Sequence, residues 1–351
     1  MKVLFITLHS INNPGSALQA FALNRFLQKN GIENEIIDYR PPYSKVGRRK
    51  FRAIISSILF FPSFISSNRK YSRFMKQNMT LTEKTYRKYS SLLSNPPQAD
   101  VYMTGSDQLW NTFYDCGRDD SYYLRFVAKG KKVAYSTSVG KSDISDNELS
   151  FIIERIKDFE MLSLREKSTC ELFQSVLNKP VRWVCDPVLL LPASDYDGFQ
   201  TSLCKEKYAV VYLSEKSDLL EQVIARVREE LGLSIIQAGG LVKRCSCDKL
   251  ISAVGPEDFI SLIKNAELVI SSSFHATAFS LLLHKNFISI LPGGNGERII
   301  SILELSHLKN KIVNSIADYD AAITAPDYKS VDELMCPFIK QSQEFLLSIV
   351  Q

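Results

Sequence analysis

Histidine and tryptophan are scarce in this chain of 351 residues, which has four of the first and two of the second. Few side chains can therefore exchange protons near neutral pH, and each histidine can be weighed individually. No apolar run reaches the roughly 20 residues of a bilayer span. The nearest stretch, from Ile54 to Ile65, is shorter and is broken by Pro62. That excludes a conventional transmembrane helix. Seven cysteines (Cys116, Cys170, Cys185, Cys204, Cys245, Cys247 and Cys336) are scattered and odd in number. With no secretory signal legible, they predict reduced thiols in a cytoplasm. Cys245-Ser246-Cys247 has no second Cys or His pair nearby, so no metal is assigned.

Acidic residues are missing altogether between Asp38 and Glu83, a span that carries ten Lys or Arg residues. Its basic flanks and the apolar centre make 44–76 an insertion with two readings. One is an amphipathic contact with an anionic leaflet at the inner face of the cytoplasmic membrane. The other is a core helix with solvated basic ends. No nucleic-acid motif accompanies the basic run, so a nucleic-acid partner is not expected.

What is present is ordinary globular material, 45% hydrophobic and 23% charged, enough for two cores. Strand-then-loop-then-helix units alternate along it. Val3 to Leu8 reads as a strand, Ser16 to Asn30 as a helix closed by Gly31, and Glu35 to Asp38 as the next strand. Further strands are expected at Asp100–Thr104, Lys132–Ser136, Met161–Leu164 and Val181–Val184, each feeding a polar loop. A second alternating set begins at Lys207 and includes strands at 234–237, 268–270 and 286–290. The pattern predicts an α/β protein of two Rossmann-like domains facing a cleft. The boundaries are 1–192 for an N-terminal, acceptor-side domain and 205–328 for a C-terminal, donor-side domain. A C-terminal helix in 329–351 is expected to pack back on the first domain.

The most informative stretch is Val269 to Ala278, where an apolar strand meets Ser271-Ser272-Ser273 and then a helix opening at Phe274-His275. A helix N-terminus leaves backbone N–H groups unpaired and attracts anions, so His275 is the catalytic candidate beside an anion seat formed with Ser272 and Ser273. His9, at another strand end, is a candidate substrate contact, as is Asn13 in the loop Asn12-Asn13-Pro14-Gly15-Ser16. His284 and His307 read as structural.

Six ordered motifs carry a resemblance across most of the chain. They are Ala17-Leu18-Gln19-Ala20-Phe21-Ala22-Leu23, Gly105-Ser106-Asp107-Gln108-Leu109-Trp110-Asn111, Tyr135 to Gly140, Ser163-Leu164-Arg165-Glu166, Asp186-Pro187 and Ser273 to Thr277. The chain resembles the polysaccharide pyruvyl transferase family. That resemblance implies a glycosyltransferase B-like architecture. It also implies transfer of pyruvate from phosphoenolpyruvate onto two sugar hydroxyls as a cyclic ketal, in bacterial capsule, exopolysaccharide or cell-wall polysaccharide biosynthesis. Phosphoenolpyruvate is then a donor substrate, and no cofactor is needed. Two departures stand out: Ala276 replaces a usual Gly, and Pro14 replaces a usual aromatic.

Under this reading His275 is the acid/base. Arg165 and Arg298 clamp the donor's carboxylate and phosphate, with Ser272, Ser273 and Lys285 adding donors and charge. The acceptor side takes Asn13, Gln19, Asp107, Gln108, Asn111 and His9, with Trp110 stacking on a sugar face. The acceptor is a sugar, and a lipid-linked oligosaccharide is the form that membrane contact through 44–76 would suit. Two alternatives keep the fold: a nucleotide-sugar-dependent glycosyltransferase, and a non-catalytic sugar- or lipid-binding protein.

Overall fold

All strand pairs among the described residues are parallel, and helices supply most of the crossovers that parallel pairing needs. The computed structural model describes residues 1–44, 61–141, 143–204, 206–213, 215–292 and 296–351. In the N-terminal half the strands are β1 (Lys2–Ile6), β2 (Glu33–Ile36), β3 (Val101–Thr104), β4 (Lys131–Ala134), β5 (Leu162–Leu164) and β6 (Val181–Trp183). Their spatial order is β2-β1-β3-β4, and bridges from Val133 to Met161 and from Thr137 to Leu164 join the β5-β6 pair to that sheet. The C-terminal half holds β7 (Tyr208–Tyr212), β8 (Ser234–Ala238), β9 (Lys249–Ile251), β10 (Leu268–Ser271) and β11 (Phe287–Ser289), in the order β11-β10-β7-β8-β9. Both sheets are doubly wound, the glycosyltransferase B-like arrangement that the resemblance implies. Strand ends differ from the sequence expectation by one or two residues, within the usual fraying of such boundaries.

Helix Pro14–Lys29 shows how local chemistry and packing combine. Asn13 caps it by accepting from Ser16 N at 3.1 Å, and Pro14 occupies the first turn, where a missing N–H has no consequence. The sequence predicts one apolar face, yet Gln19 and Asn24 are buried as well. The helix is enclosed because it lies between its own sheet and the C-terminal domain, touching helix Pro256–Lys264. Asn24 meets its polar requirement inside by donating to Asn34 at 2.7 Å.

The two domains share an aromatic seam. Phe21 packs edge-on against Phe74 at 5.7 Å and Phe199 at 5.3 Å, and Tyr196 meets Phe279 at 5.1 Å. Tyr196 and Phe199 lie in 193–204, between the two expected domains, a stretch whose rings are packed into the core. The last helix, Tyr328–Ile349, bridges the halves: Ser342 Oγ accepts from Cys185 N at 2.9 Å, while Tyr328 donates to Ser280 O at 3.2 Å.

For the basic insertion, residues 45–60 lie outside the described residues. The remainder, helix Phe61–Asn78, packs on protein along part of its length, as the core-helix reading expects. Tyr71, Phe74 and Met75 face the core, and Lys70 Nζ sits 2.7 Å from Asp258 in the other domain. The C-terminal part of its apolar stripe is covered by protein, with Arg69, Arg73 and Lys76 outside, while Phe64 near its start is exposed. No helix among the described residues is long and apolar enough to cross a membrane.

Phe21→Ala removes the ring on which three others rest, and is expected to lower the unfolding free energy by about 3–5 kcal/mol. Arg73→Ala, on the exposed face, should stay within about 0.5 kcal/mol. Urea titrations of both variants check the seam.

Candidate active site

In doubly wound sheets, ligand groups gather beyond the carboxyl ends of strands where the order reverses. Here those points are β1/β3 and β7/β10, and the loops leaving them face each other. Between them lies a cleft of about 430 Å³ lined from the first domain by Asn13, Ser16, Asp107 and Gln108, and from the second by Ser272, Ser273, His275 and Arg298.

His275 stands in the first turn of helix Phe274–Leu282, directly after β10. The hydroxyl of Ser271 already accepts from Ser273 N at 2.9 Å. The first-turn N–H groups beyond it have no acceptor within the helix. The imidazole is seated against Gly15 of the other domain: a Cβ there would fall 2.2 Å from His275 Nδ1. Only glycine leaves room for that ring. Nε2 lies 3.5 Å from Arg165 Nη1 and 3.6 Å from Asp186 Oδ2. At Nε2 a neutral ring can accept from the guanidinium, and an N–H there can face the carboxylate.

Four more charged groups complete the cluster, each nearly or fully buried. Arg165 pairs with Asp186, whose second oxygen caps a turn by accepting from Val188 N at 3.0 Å. Ser106 Oγ also donates to Asp186, at 3.1 Å. Asp107 accepts from Ser16 Oγ and from Gln108 N, and Arg165 Nη2 is 3.7 Å away. The Asp107 backbone is held at φ 86°, a left-handed conformation that costs a non-glycine residue on the order of 1–3 kcal/mol. Burial pushes both aspartates up, but the attraction of Arg165 and His275 outweighs it and holds both carboxyls below their ordinary range.

Arg298 is the exception in this cluster. It forms no ion pair with a described carboxylate and donates no hydrogen bond to any described residue, and its Nε is buried without a partner, as are Nε and Nη2 of Arg165. Burial and the like charge of Arg165 push its pKa down to about 10. Both guanidiniums lie near the Phe274 ring, Arg165 at 4.6 Å and Arg298 at 5.7 Å. Glu166, Asp107 and Asp186 attract it only from beyond ion-pair distance, and a buried cation without a direct partner beside a helix N-terminus is a seat for an anion.

The structure thus brings together His275, Arg298, Ser272, Ser273, Asn13, Asp107 and Gln108 at one cleft. Arg165 sits behind His275 instead of lining the opening, where it is held by Asp186. Five expected contacts are corrected. Trp110 is fully buried, stacked on Tyr123 at 5.8 Å with its Nε1 donating to Tyr122 O, so no sugar reaches its face. Asn111 holds the same loop, donating to Gln108 Oε1 at 2.7 Å. Gln19 is buried and donates to Thr7 and Ser16. His9 is fully buried with its Nε2 2.9 Å from Asp38. Lys285 precedes β11, at the amino ends of the strands and away from the cleft. Sequence reading missed the roles of Asp186, Ser16 and Gly15, although each lies in a motif or loop it had singled out.

A family model, polysaccharide pyruvyl transferase, matches residues 13–293. No curated protein matches the chain in sequence. Among solved structures, UDP-GlcNAc 2-epimerase from Neisseria meningitidis bound to UDP-GlcNAc is similar with a TM-score of 0.54 at 10% identity, over 100% of this chain and 99% of that one. UDP-GlcNAc 2-epimerase from Methanocaldococcus jannaschii gives 0.53 at 14% identity, again over 100% and 99%. At such identities the likeness is one of fold.

Because Asp107 and Asp186 have lowered folded pKa values, their stabilisation is complete above the unfolded carboxylate value of about 3.9 and is lost as pH falls through the folded values. Asp186→Asn leaves Arg165 buried without its counter-ion. It is expected to cost about 3–5 kcal/mol at neutral pH and to flatten the loss of stability in acid, both read by urea unfolding across pH. Gly15→Ala should displace the His275 ring, seen as a shifted imidazole signal in nitrogen-15 NMR.

Proposed function

The chain belongs to the polysaccharide pyruvyl transferase family, and on that premise we propose that it moves pyruvate from phosphoenolpyruvate onto two hydroxyls of one sugar as a cyclic ketal. The setting we propose is bacterial capsule, exopolysaccharide or cell-wall polysaccharide biosynthesis in the cytoplasm. One observation carries the reading: a buried, unpartnered Arg298 faces the same cleft as His275 and a helix N-terminus. Phosphoenolpyruvate carries both a phosphate and a carboxylate, which suit an arginine fork and free backbone N–H groups.

The reaction must add a proton to the methylene carbon, join one sugar oxygen to the adjacent carbon, then expel phosphate as the second oxygen joins. Of the two hydroxyl protons released, one ends on the new methyl group and the other leaves with phosphate. His275 is suited to move them, because Arg165 and Asp186 flank Nε2 and support both of its protonation states. Arg298 and the N-terminus of helix Phe274–Leu282 hold the donor's charge. Asn13, Asp107 and Gln108, across the cleft, offer acceptors and donors to sugar hydroxyls. Arg165 acts through His275 and Asp186 and does not close on the donor itself.

Phosphoenolpyruvate should raise the melting temperature, as preferential binding to the folded state requires, whereas UDP-GlcNAc should not. A shift with the nucleotide sugar alone would overturn the proposal in favour of a glycosyltransferase. His275→Ala should keep the phosphoenolpyruvate shift while lowering kcat by about 10²–10⁴. Arg298→Ala should weaken donor binding about tenfold or more.

A further inference from the structure

Phe113 and Tyr114 are exposed aromatic residues in a loop whose neighbours line the cleft. Phe113 is 81% exposed and Tyr114 41%, with ring centroids 5.3 Å apart and planes at 84°. Tyr114 lines the same cleft as Asn13, Asp107 and Gln108. Two rings set edge to face make a shelf with two apolar faces at right angles, open to solvent and continuous with the site.

The loop presents them rigidly. Asn111 Oδ1 accepts from Phe113 N at 3.1 Å, and Tyr114 N donates to Asn111 O at 3.0 Å. Gly117 closes the turn so tightly that a Cβ would lie 2.0 Å from the Asn111 carbonyl oxygen. Thr112 is tied to Glu148, which also pairs with Lys141 at 2.7 Å. An exposed apolar surface held this firmly has lost the freedom to fold away, which is the condition for a preorganised contact.

We infer that Phe113 and Tyr114 form an acceptor subsite that stacks a second sugar ring, next to the one receiving pyruvate. This rests on the pyruvyl-transfer reading. Aromatic faces suit the C–H faces of a pyranose, as they suit any apolar face with polar edges. The local charge favours a neutral glycan over an anionic lipid surface: the segment after the rings carries Asp115, Asp119 and Asp120 against Arg118, with Asp120 paired to Arg155, and so lacks the run of basic residues that an anionic surface attracts. The subsite makes the enzyme select oligosaccharides over single sugars. It also supplies the stacking contact that buried Trp110 does not.

The test uses the full chain with a graded series of mono-, di-, tri- and tetrasaccharides of hexoses and N-acetylhexosamines, read by saturation-transfer NMR and titration. Wild type should bind the best tetrasaccharide about tenfold more tightly than its monosaccharide. Phe113→Ala, Tyr114→Ala and Phe113→Leu, the last keeping apolar bulk without a ring face, should each cut that advantage below about threefold. All three should retain the melting shift with phosphoenolpyruvate, which shows that fold and donor seat are intact. An unchanged length advantage in the variants, no binding of any glycan in the series, or ring-dependent adsorption to phosphatidylglycerol vesicles would each overturn the subsite. Loss of the phosphoenolpyruvate shift in wild type strikes the pyruvyl-transfer reading instead, and the length dependence is then read separately.

Discussion

The structure depends on a buried charged cluster that neither domain completes alone. Arg165, Asp186 and Asp107 come from the first domain, His275 and Arg298 from the second, and all five are almost removed from water. Leaving such charges uncompensated is costly, so the loops that carry Arg165, Asp186, Asp107 and His275 must close on one another in one geometry, with Arg298 the one group left without a direct partner. Asp186 is the hub: its two oxygens serve Arg165, Ser106, Val188 N and the neighbourhood of His275 at once. Gly15 is the steric counterpart, because the His275 ring takes the space where any side chain would stand.

Around that cluster the polar loops hold each other. Ser138 donates to Glu166, and Gly140 N donates to the same oxygen at 3.1 Å, so the loop after β4 is tied to the residue following Arg165. Ser16 bonds Asp107, linking the capped start of helix Pro14–Lys29 to the strained turn after β3. The strain at Asp107 persists because hydrogen bonds on both sides over-determine it. Beneath these loops the aromatic seam of Phe21, Phe74, Tyr196 and Phe199, continued to Phe279, and the Lys70–Asp258 ion pair hold the domains together. Charge sets the geometry of the cleft, and the seam keeps it at one width.

The fold was legible because its signals are local. Strands such as Val101–Thr104 and Leu268–Ser271 read as continuous apolar runs, the mark of parallel strands buried on both faces. Pro256 after Gly255 announces a helix start, whereas the helix expected from Ser16 begins two residues earlier, at Pro14. The site was legible in part for the same reason: His275, Ser272, Ser273 and Arg298 lie where a strand or loop meets a helix. The misplaced residues fail for a shared reason. Gln19, Trp110 and Asn111 lie inside motifs and His9 at a strand end, and neither a motif nor a strand end says which side of its chain faces the cleft. Buried partners decided that: Asp38 for His9, Tyr123 for Trp110, Thr7 for Gln19 and Gln108 for Asn111.

By itself, then, the amino-acid sequence determined the alternation of strands and helices, the two-domain architecture and the histidine at a helix start, since each follows from periodicity and capping within a few residues. Only the tertiary structure decided what surrounds that histidine. Gly15 stands 260 positions from His275 and Asp186 stands 89 from it, and nothing local to either position encodes the contact. It also decided that Arg298 lacks a partner while Arg165 has one, a difference two similar arginines at helix starts do not show. Pairing of buried charges is settled by distance in space, and that appears only when both sheets have folded and closed.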